Sequence, residues 1–269
     1  RVLAGPLMID VSDLGVWAGK WFDDWAGLLT PSGFGLLMDL EGVNGGGQVR
    51  RITTTSGERY EGTLQLDVQG FGVDALGILE RTASGRRSMV MVLGARFEPG
   101  ITLPYGFMIT GFGGIAGFNR RMDQDVIRSR LQGGAAGNVL FAQDPVPNAP
   151  KVLPALEAMF PAADGRPVFG PTARITWGSQ VLQIDIGVIF ELPDLARWLV
   201  FGRVTLPAPG GDLQEVLRLQ LDVAGTVDLH RKTINIDASL VDSHILHVFT
   251  VYGDATVSIG YGATPYFLL

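Results

Sequence analysis

The chain has 269 residues, 46% hydrophobic, 18% charged and 9% aromatic, with 37 Gly, 15 Pro and a net charge of −6. That length and apolar content exclude intrinsic disorder and supply a sizeable core, because a chain of this size buries roughly three quarters of its unfolded surface. The balance of 27 acidic against 21 basic residues excludes the concentrated positive charge that nucleic acid binding needs, and the absence of Cys excludes disulfides, a thiolate zinc site and a cysteine nucleophile.

The chain opens on Arg1 without an initiator Met or an export signal, and closes on Tyr266, Phe267, Leu268, Leu269, which reads like the start of a strand; a piece of a longer polypeptide is expected. No window supplies the roughly 18 uninterrupted apolar residues of a membrane-spanning helix, so no transmembrane segment is expected. Mean hydropathy is nonetheless high, +0.25, which implies heavy use of apolar surface.

From Asp13 to Leu29, Leu14, Trp17, Trp21, Trp25 and Leu28 recur at spacings of three and four. This predicts an N-terminal helix capped by Asp13 and stopped at Thr30 to Gly33, covering a sheet or lying on a membrane surface. Residues 34 to 118 switch to period two, with breaks at Gly45 to Gly47, Ser56-Gly57, Ser84-Gly85 and Pro99-Gly100, and predict about six strands of an antiparallel meander. In the clearest, Leu64, Leu66 and Val68 share one face and Gln65, Asp67 and Gln69 the other, one side buried and one wet.

Alternation stops between Met122 and Phe160. A helix is expected over Asp123 to Gln132, an extended linker over Asp144 to Pro150 and a second helix over Val152 to Phe160. Beyond Val168 long strands return. Glu215 to Leu229 alternates without a slip, Thr233 to Leu240 returns after a His230-Arg231-Lys232 turn, and Ile245 to Tyr261 closes the set. The segments Leu64 to Gly70, Leu182 to Gly187 and Leu219 to Gly225 form a weak repeat that convergent strand patterning also explains.

The resulting fold class is mainly β, with extended antiparallel sheets of long one-sided strands, an N-terminal helix and a short helical insert. The expected organisation is 1–121, helix and meander; 122–167, helical insert and linker; 168–269, long-stranded sheet, or all three as one continuous domain.

Chemistry-bearing patterns are sparse. Gly111 to Ala116 has the form G-x-G-x-x-A, but no helix follows at once as a dinucleotide site requires, so close sheet packing is the better reading and no cofactor is expected. His244 and His247 are three apart on a strand and point to opposite faces, so no metal pair forms, and Asp242-Ser243-His244 are too close in sequence for a relay. The carboxylates Asp67, Asp185, Asp222 and Asp237 could serve glycoside hydrolysis only if two met at about 5 to 9 Å, and their scatter suits a solvated face better.

From Gly106 to Leu269 a further set of landmarks stands in order: Gly113-Gly114, Gly117 to Arg120, Leu140-Phe141, Asp144-Pro145, Asn148 to Pro150, Phe169 to Pro171, Trp177-Gly178, Glu191 to Pro193, Asp237 to Leu240 and Asp242-Ser243. In this the chain resembles a family of large bacterial proteins known only by a domain of unknown function. The resemblance implies continuation past the last strand and brings no catalytic residue, cofactor or activity.

The expected function is a non-enzymatic structural or binding module, engaged with protein partners or with itself through sheet edges and apolar surface. The alternative is a carrier of lipid or another apolar ligand, in a trough lined by Leu217, Leu219, Leu221, Ile234, Ile236, Val248 and Phe249. A carboxylate hydrolase is the third reading.

Overall fold

A computed structural model describes residues 2–4, 7–13, 15–21, 24–29, 31–54, 57–131, 135–141, 145–178, 181–193, 195, 197–207, 217–245, 248–262 and 264–269. The strands β1 (Val2–Ala4), β2 (Leu7–Ser12), β3 (Gly15–Trp21) and β4 (Asp24–Leu29) lead into β5 (Gly33–Leu40), β6 (Val43–Thr54), β7 (Gly57–Val68), β8 (Phe71–Arg81), β9 (Arg87–Thr102) and β10 (Phe107–Phe118). The helices α1 (Gln124–Leu131), α2 (Ala135–Leu140) and α3 (Ala149–Met159) follow. Then come β11 (Val168–Trp177), β12 (Leu182–Glu191), β13 (Arg197–Pro207), β14 (Leu217–Asp228), β15 (Thr233–Ile245), β16 (Phe249–Gly260) and β17 (Tyr266–Leu268).

All but β3 and β4 belong to a single 15-stranded sheet in which sequence neighbours pair throughout, apart from β2, which pairs with β5 across the β3–β4 hairpin. The pairing is antiparallel, and β10 and β11 pair directly across the helical insert. Tight turns make this order possible. At Gln69-Gly70 both residues have positive φ, 49° and 87°, the backbone twist that suits a two-residue hairpin.

The expected N-terminal helix is a β-hairpin instead, β3 paired with β4. Trp17 and Trp21 are four apart, an even spacing that strand alternation accommodates as readily as a helical turn. Gly15, Gly19 and Gly27 weaken a helix, while Trp favours a strand.

The meander of six strands from β5 to β10 is present, but two of its expected breaks lie inside strands. Gly46 and Gly47 sit in the middle of β6, where an added Cβ would lie 2.5 Å from the Leu36 carbonyl oxygen and 2.8 Å from that of Thr63; these glycines allow adjoining strands to approach. Pro99-Gly100 lies within β9, and the reversal comes later, at Tyr105 and Gly106, with φ of 62° and 80°.

In the insert, α1 starts where expected: the Val126 N–H donates to Asp123 Oδ1 at 3.3 Å, and Arg128 and Arg130 occupy the last turn. Helix α3 starts at Ala149, earlier than the expected Val152, because Pro150 is tolerated in a first turn that needs no N–H. Helix α2 was not anticipated.

The three helices cover one face of the sheet. Leu76, Ile78, Val90, Val92, Ile115, Val168, Ile189, Leu199 and Phe201 on the strands meet Ile127, Val139, Leu140, Val152, Leu153, Leu156 and Met159 on the helices to form the buried core. The rings of Phe141 and Phe201 pack with centroids 5.1 Å apart.

The sheet curls around this insert. From β7 to β15 a flat sheet would extend about 38 Å at about 4.8 Å per strand. Yet Arg59 on β7 reaches Glu157 on α3 at 2.6 Å, Arg128 on α1 reaches Asp237 on β15 at 2.6 Å, and α1 touches α3. Two helices packed about 8 to 10 Å apart bridge that separation only if the helix-bearing face is concave.

Candidate functional site

The register sorts the alternating residues onto two faces: an outer one filled by apolar residues and a concave one that carries both the helix-packed core and the charged side chains. On the concave face a charged row crosses successive strands: Asp67, Gly72, Arg96, Gly111, Arg174, Asp185, Arg203, Asp222, Ser239 and Asp254 are consecutive register partners from β7 to β16. Arg174 Nε donates to Asp185 Oδ1 at 2.6 Å, and Gln183 Nε2 donates to Asp185 Oδ2 at 2.8 Å. Arg203 donates through Nε and Nη2 to the two oxygens of Asp222, each at 2.7 Å, and through Nη1 to Asn138 of α2 at 2.6 Å. Ser239 Oγ donates to Asp254 Oδ1 at 2.6 Å. Burial pushes the Asp222 carboxyl above its usual range, and the two hydrogen bonds and the charge of Arg203 work against that shift.

Near the glycine gap at Gly111, the row opens into a polar cavity of about 240 Å³ lined by Asp74, Arg96, Thr172, Arg174 and Asp185, with Phe141 at its edge. Arg96 Nε donates to Asp74 Oδ2 at 2.9 Å. A second cluster lies toward the other end of the strands. Fully buried Arg120 is 2.9 Å from Glu80 and 2.8 Å from Glu157, and donates to the Phe160 carbonyl oxygen at 2.9 Å, which ties α3 to β8. Outside the strands, hydrogen bonds from Ser84 and Thr82 hold the Asp164 carboxyl below its usual range.

The expectation that the Gln and Asp face is the wet one holds at Asp67 and is overturned at Asp185, Asp222 and Asp237. Asp185 and Asp222 are each 1% exposed, whereas on the other face Leu93 and Ile186 are each 43% exposed. Alternation establishes which residues share a face, but the helical insert decides which face is covered. Asp185, Asp222 and Asp237 are therefore paired carboxylates, Asp237 accepting from Arg128 and from Thr256. Asp67 is exposed, 3.7 Å from Arg96.

The outer, convex face is apolar. Across β8 to β14 its register-linked positions are filled by Val, Leu, Ile, Met, Ala, Phe, Trp, Pro and Gly, with Arg81 and Arg87 only at strand ends. Leu219, Leu221, Ile234 and Ile236 belong to this face. Leu217 pairs with Ile245, and Ile245 with Phe249, beyond a bulge in β15, so those residues gather at the strand ends; Val248 lies exposed just before β16. The outer residues of β8 to β13, among them Leu93, Phe112, Ile186 and Trp198, went unnoticed as candidates. Their period-two signal was visible, but its continuity needed the strand order.

The remaining patterns are also placed. Gly111 to Ala116 lies within β10, where an added Cβ on Gly111 would sit 2.7 Å from the Ala95 carbonyl oxygen, so these glycines serve strand approach. His230 is in the β14–β15 turn and His244 in β15; His247 lies outside the described residues. Ser243 is buried and its Oγ accepts from the Gln220 N–H at 2.9 Å. Among the described residues no group of three His, Asp or Glu is arranged to hold a metal, and no helix is long and apolar enough to cross a membrane.

The model of one protein family, described as a family of unknown function, matches residues 1–269. No curated protein and no solved structure matches the chain.

Proposed function

We propose that this chain, which belongs to the DUF6603 family of unknown function, is a non-enzymatic binding module that works through the apolar outer face of its sheet. One observation carries the reading: an apolar surface continuous across the seven adjacent strands β8 to β14 faces away from the helices, where a soluble monomer normally leaves only a limited continuous apolar patch exposed. The edge strands β1 and β17, each paired on one side among the described residues, offer a second route to self-assembly or to a protein partner.

The other readings have less support. A trough would hold its ligand on a concave side, while Leu219, Leu221, Ile234 and Ile236 lie on the convex one. A hydrolase needs a carboxylate free to move a proton, and Asp185, Asp222 and Asp237 are each engaged by an arginine.

The test measures the mass of dodecyl maltoside carried by the purified protein, wild type against a triple variant with Leu93, Ile186 and Leu221 changed to Asp. The wild type is expected to carry a detergent belt and the variant much less, with strand content by circular dichroism unchanged. Equal, small detergent binding by both proteins would overturn the reading.

A further inference from the structure

Resting on that apolar-face reading, we propose that the occupant of the outer face is the hydrocarbon of a lipid bilayer, the sheet forming the wall of a membrane-embedded β-barrel whose inside is the concave, helix-filled face with its charged row. An uninterrupted apolar run marks a spanning helix, whereas a spanning strand needs only every second residue to be apolar.

Four features converge. The strands of the wall are mostly 10 to 13 residues long, against the 9 to 11 or so that a tilted transmembrane strand requires. The outer face carries aromatic side chains toward both ends: Phe118, Phe169, Phe190 and Trp198 at one, Phe107 and Trp177 at the other, with mostly aliphatic residues and one aromatic, Phe112, between. In β10, Phe107 and Phe118 stand at the two ends of a 12-residue strand. Their separation is about 36 Å along the strand and about 28 Å across a bilayer at a tilt of about 40°, close to the apolar band of about 25 Å in known barrels.

The ends of the wall differ in charge. Exposed Arg86, Arg87, Arg231 and Lys232 mark the aromatic-rich end, and exposed Asp39, Glu41 and Glu98 the opposite one. Basic side chains at one rim complement the anionic phosphates of a headgroup layer. The inside combines a charged row with three helices packed as a plug on an apolar core, and the row and the plug parallel the polar lumen and internal plug of such barrels.

Curvature selects this occupant over a second copy. Two convex faces touch along a narrow line and leave most of the apolar surface wet, whereas acyl chains surround a convex wall completely. In hydrocarbon the edges β1 and β17 must then be paired, with each other or with those of another copy, since unpaired backbone groups there cost several kcal/mol each.

The natural lack of cysteine permits the experiment directly. Leu93→Cys and Ile186→Cys on the outer face, Thr172→Cys in the cavity and Arg86→Cys at the rim are labelled with an environment-sensitive fluorophore in protein reconstituted into phosphatidylcholine–phosphatidylglycerol vesicles. Lipids carrying a nitroxide deep in the acyl chain are expected to quench the labels at 93 and 186 more than headgroup nitroxides do, and to leave the label at 172 bright. The label at 86 should show the reverse preference.

Equal quenching of all positions, or none, overturns the bilayer assignment. Where a labelled variant fails to fold, the unmodified protein decides: flotation with vesicles that survives a sodium carbonate wash supports a wall in the bilayer, and removal by carbonate overturns it. A protein that carries a detergent belt but is stripped from vesicles refutes this inference alone; one that carries no detergent refutes the apolar-face reading as well.

Discussion

Arg203 and Asp222 face each other across β13 and β14 in a bidentate pair, two N–H···O bonds of 2.7 Å between side chains almost sealed from solvent. Breaking such a pair strands a buried charge. Arg203→Ala or Asp222→Ala is expected to cost about 3–5 kcal/mol in folding stability, while the double replacement by Leu recovers part of the loss because neither charge remains. Denaturant midpoints of the three variants in detergent test this; additive losses would show that the two side chains act independently.

Gly187 lies against the ring of Phe201, which an added Cβ would overlap, and 2.8 Å from where that Cβ would sit is the methyl of Thr172. Gly187→Ala should therefore destabilise by about 1–3 kcal/mol through overpacking. Pairing it with Phe201→Leu should restore part of the loss, as read by thermal melting of the single and double variants.

Truncations on the two faces should differ sharply. Leu156 is fully buried between α3 and the sheet, so Leu156→Ala is expected to cost about 2–5 kcal/mol by opening a cavity. Ile186→Ala on the outer face should change detergent-solubilised stability by about 0.5 kcal/mol or less, since its surroundings are already open. Parallel unfolding curves settle the comparison, and equal losses would place a hidden layer over Ile186.

The Asp164 carboxylate accepts from Ser84 and Thr82, which joins the end of the insert to the β8–β9 turn. Because those bonds depress its folded pKa, the contribution is present above the ordinary aspartate range and disappears as pH falls through the lower folded value. Asp164→Asn should increase protease cleavage within 82–86 at neutral pH and make little difference once the medium is acidic enough to protonate the wild-type carboxyl.

Much of the architecture was legible in residue order. The meander from Phe34 to Phe118, the helix begun by Asp123 and the long alternating strands after Val168 each carry a local signal, a period, a cap or a turn, that neighbouring residues supply without reference to the rest of the chain. The Asp13 to Leu29 segment misled because a spacing of four is compatible with both helix and strand, and pairing between Val16 and Leu28 or Trp17 and Gly27 decided between them.

By itself the sequence determined that Leu219, Leu221 and Val223 share one face and Gln220, Asp222 and Ala224 the other, because side chains of a strand alternate with period two. Only the tertiary structure decided that the polar side is the sealed one. The insert from Met122 to Phe160 folds onto that face with its own apolar residues, supplying Ile127, Leu156 and Met159 to the core and Asn138 and Arg128 to the charged groups there. The row from Asp67 to Asp254 lines up residues spread over 187 positions of the chain, and Arg128 meets Asp237 across 109; such placements come from strand register and sheet curvature, which no local pattern encodes.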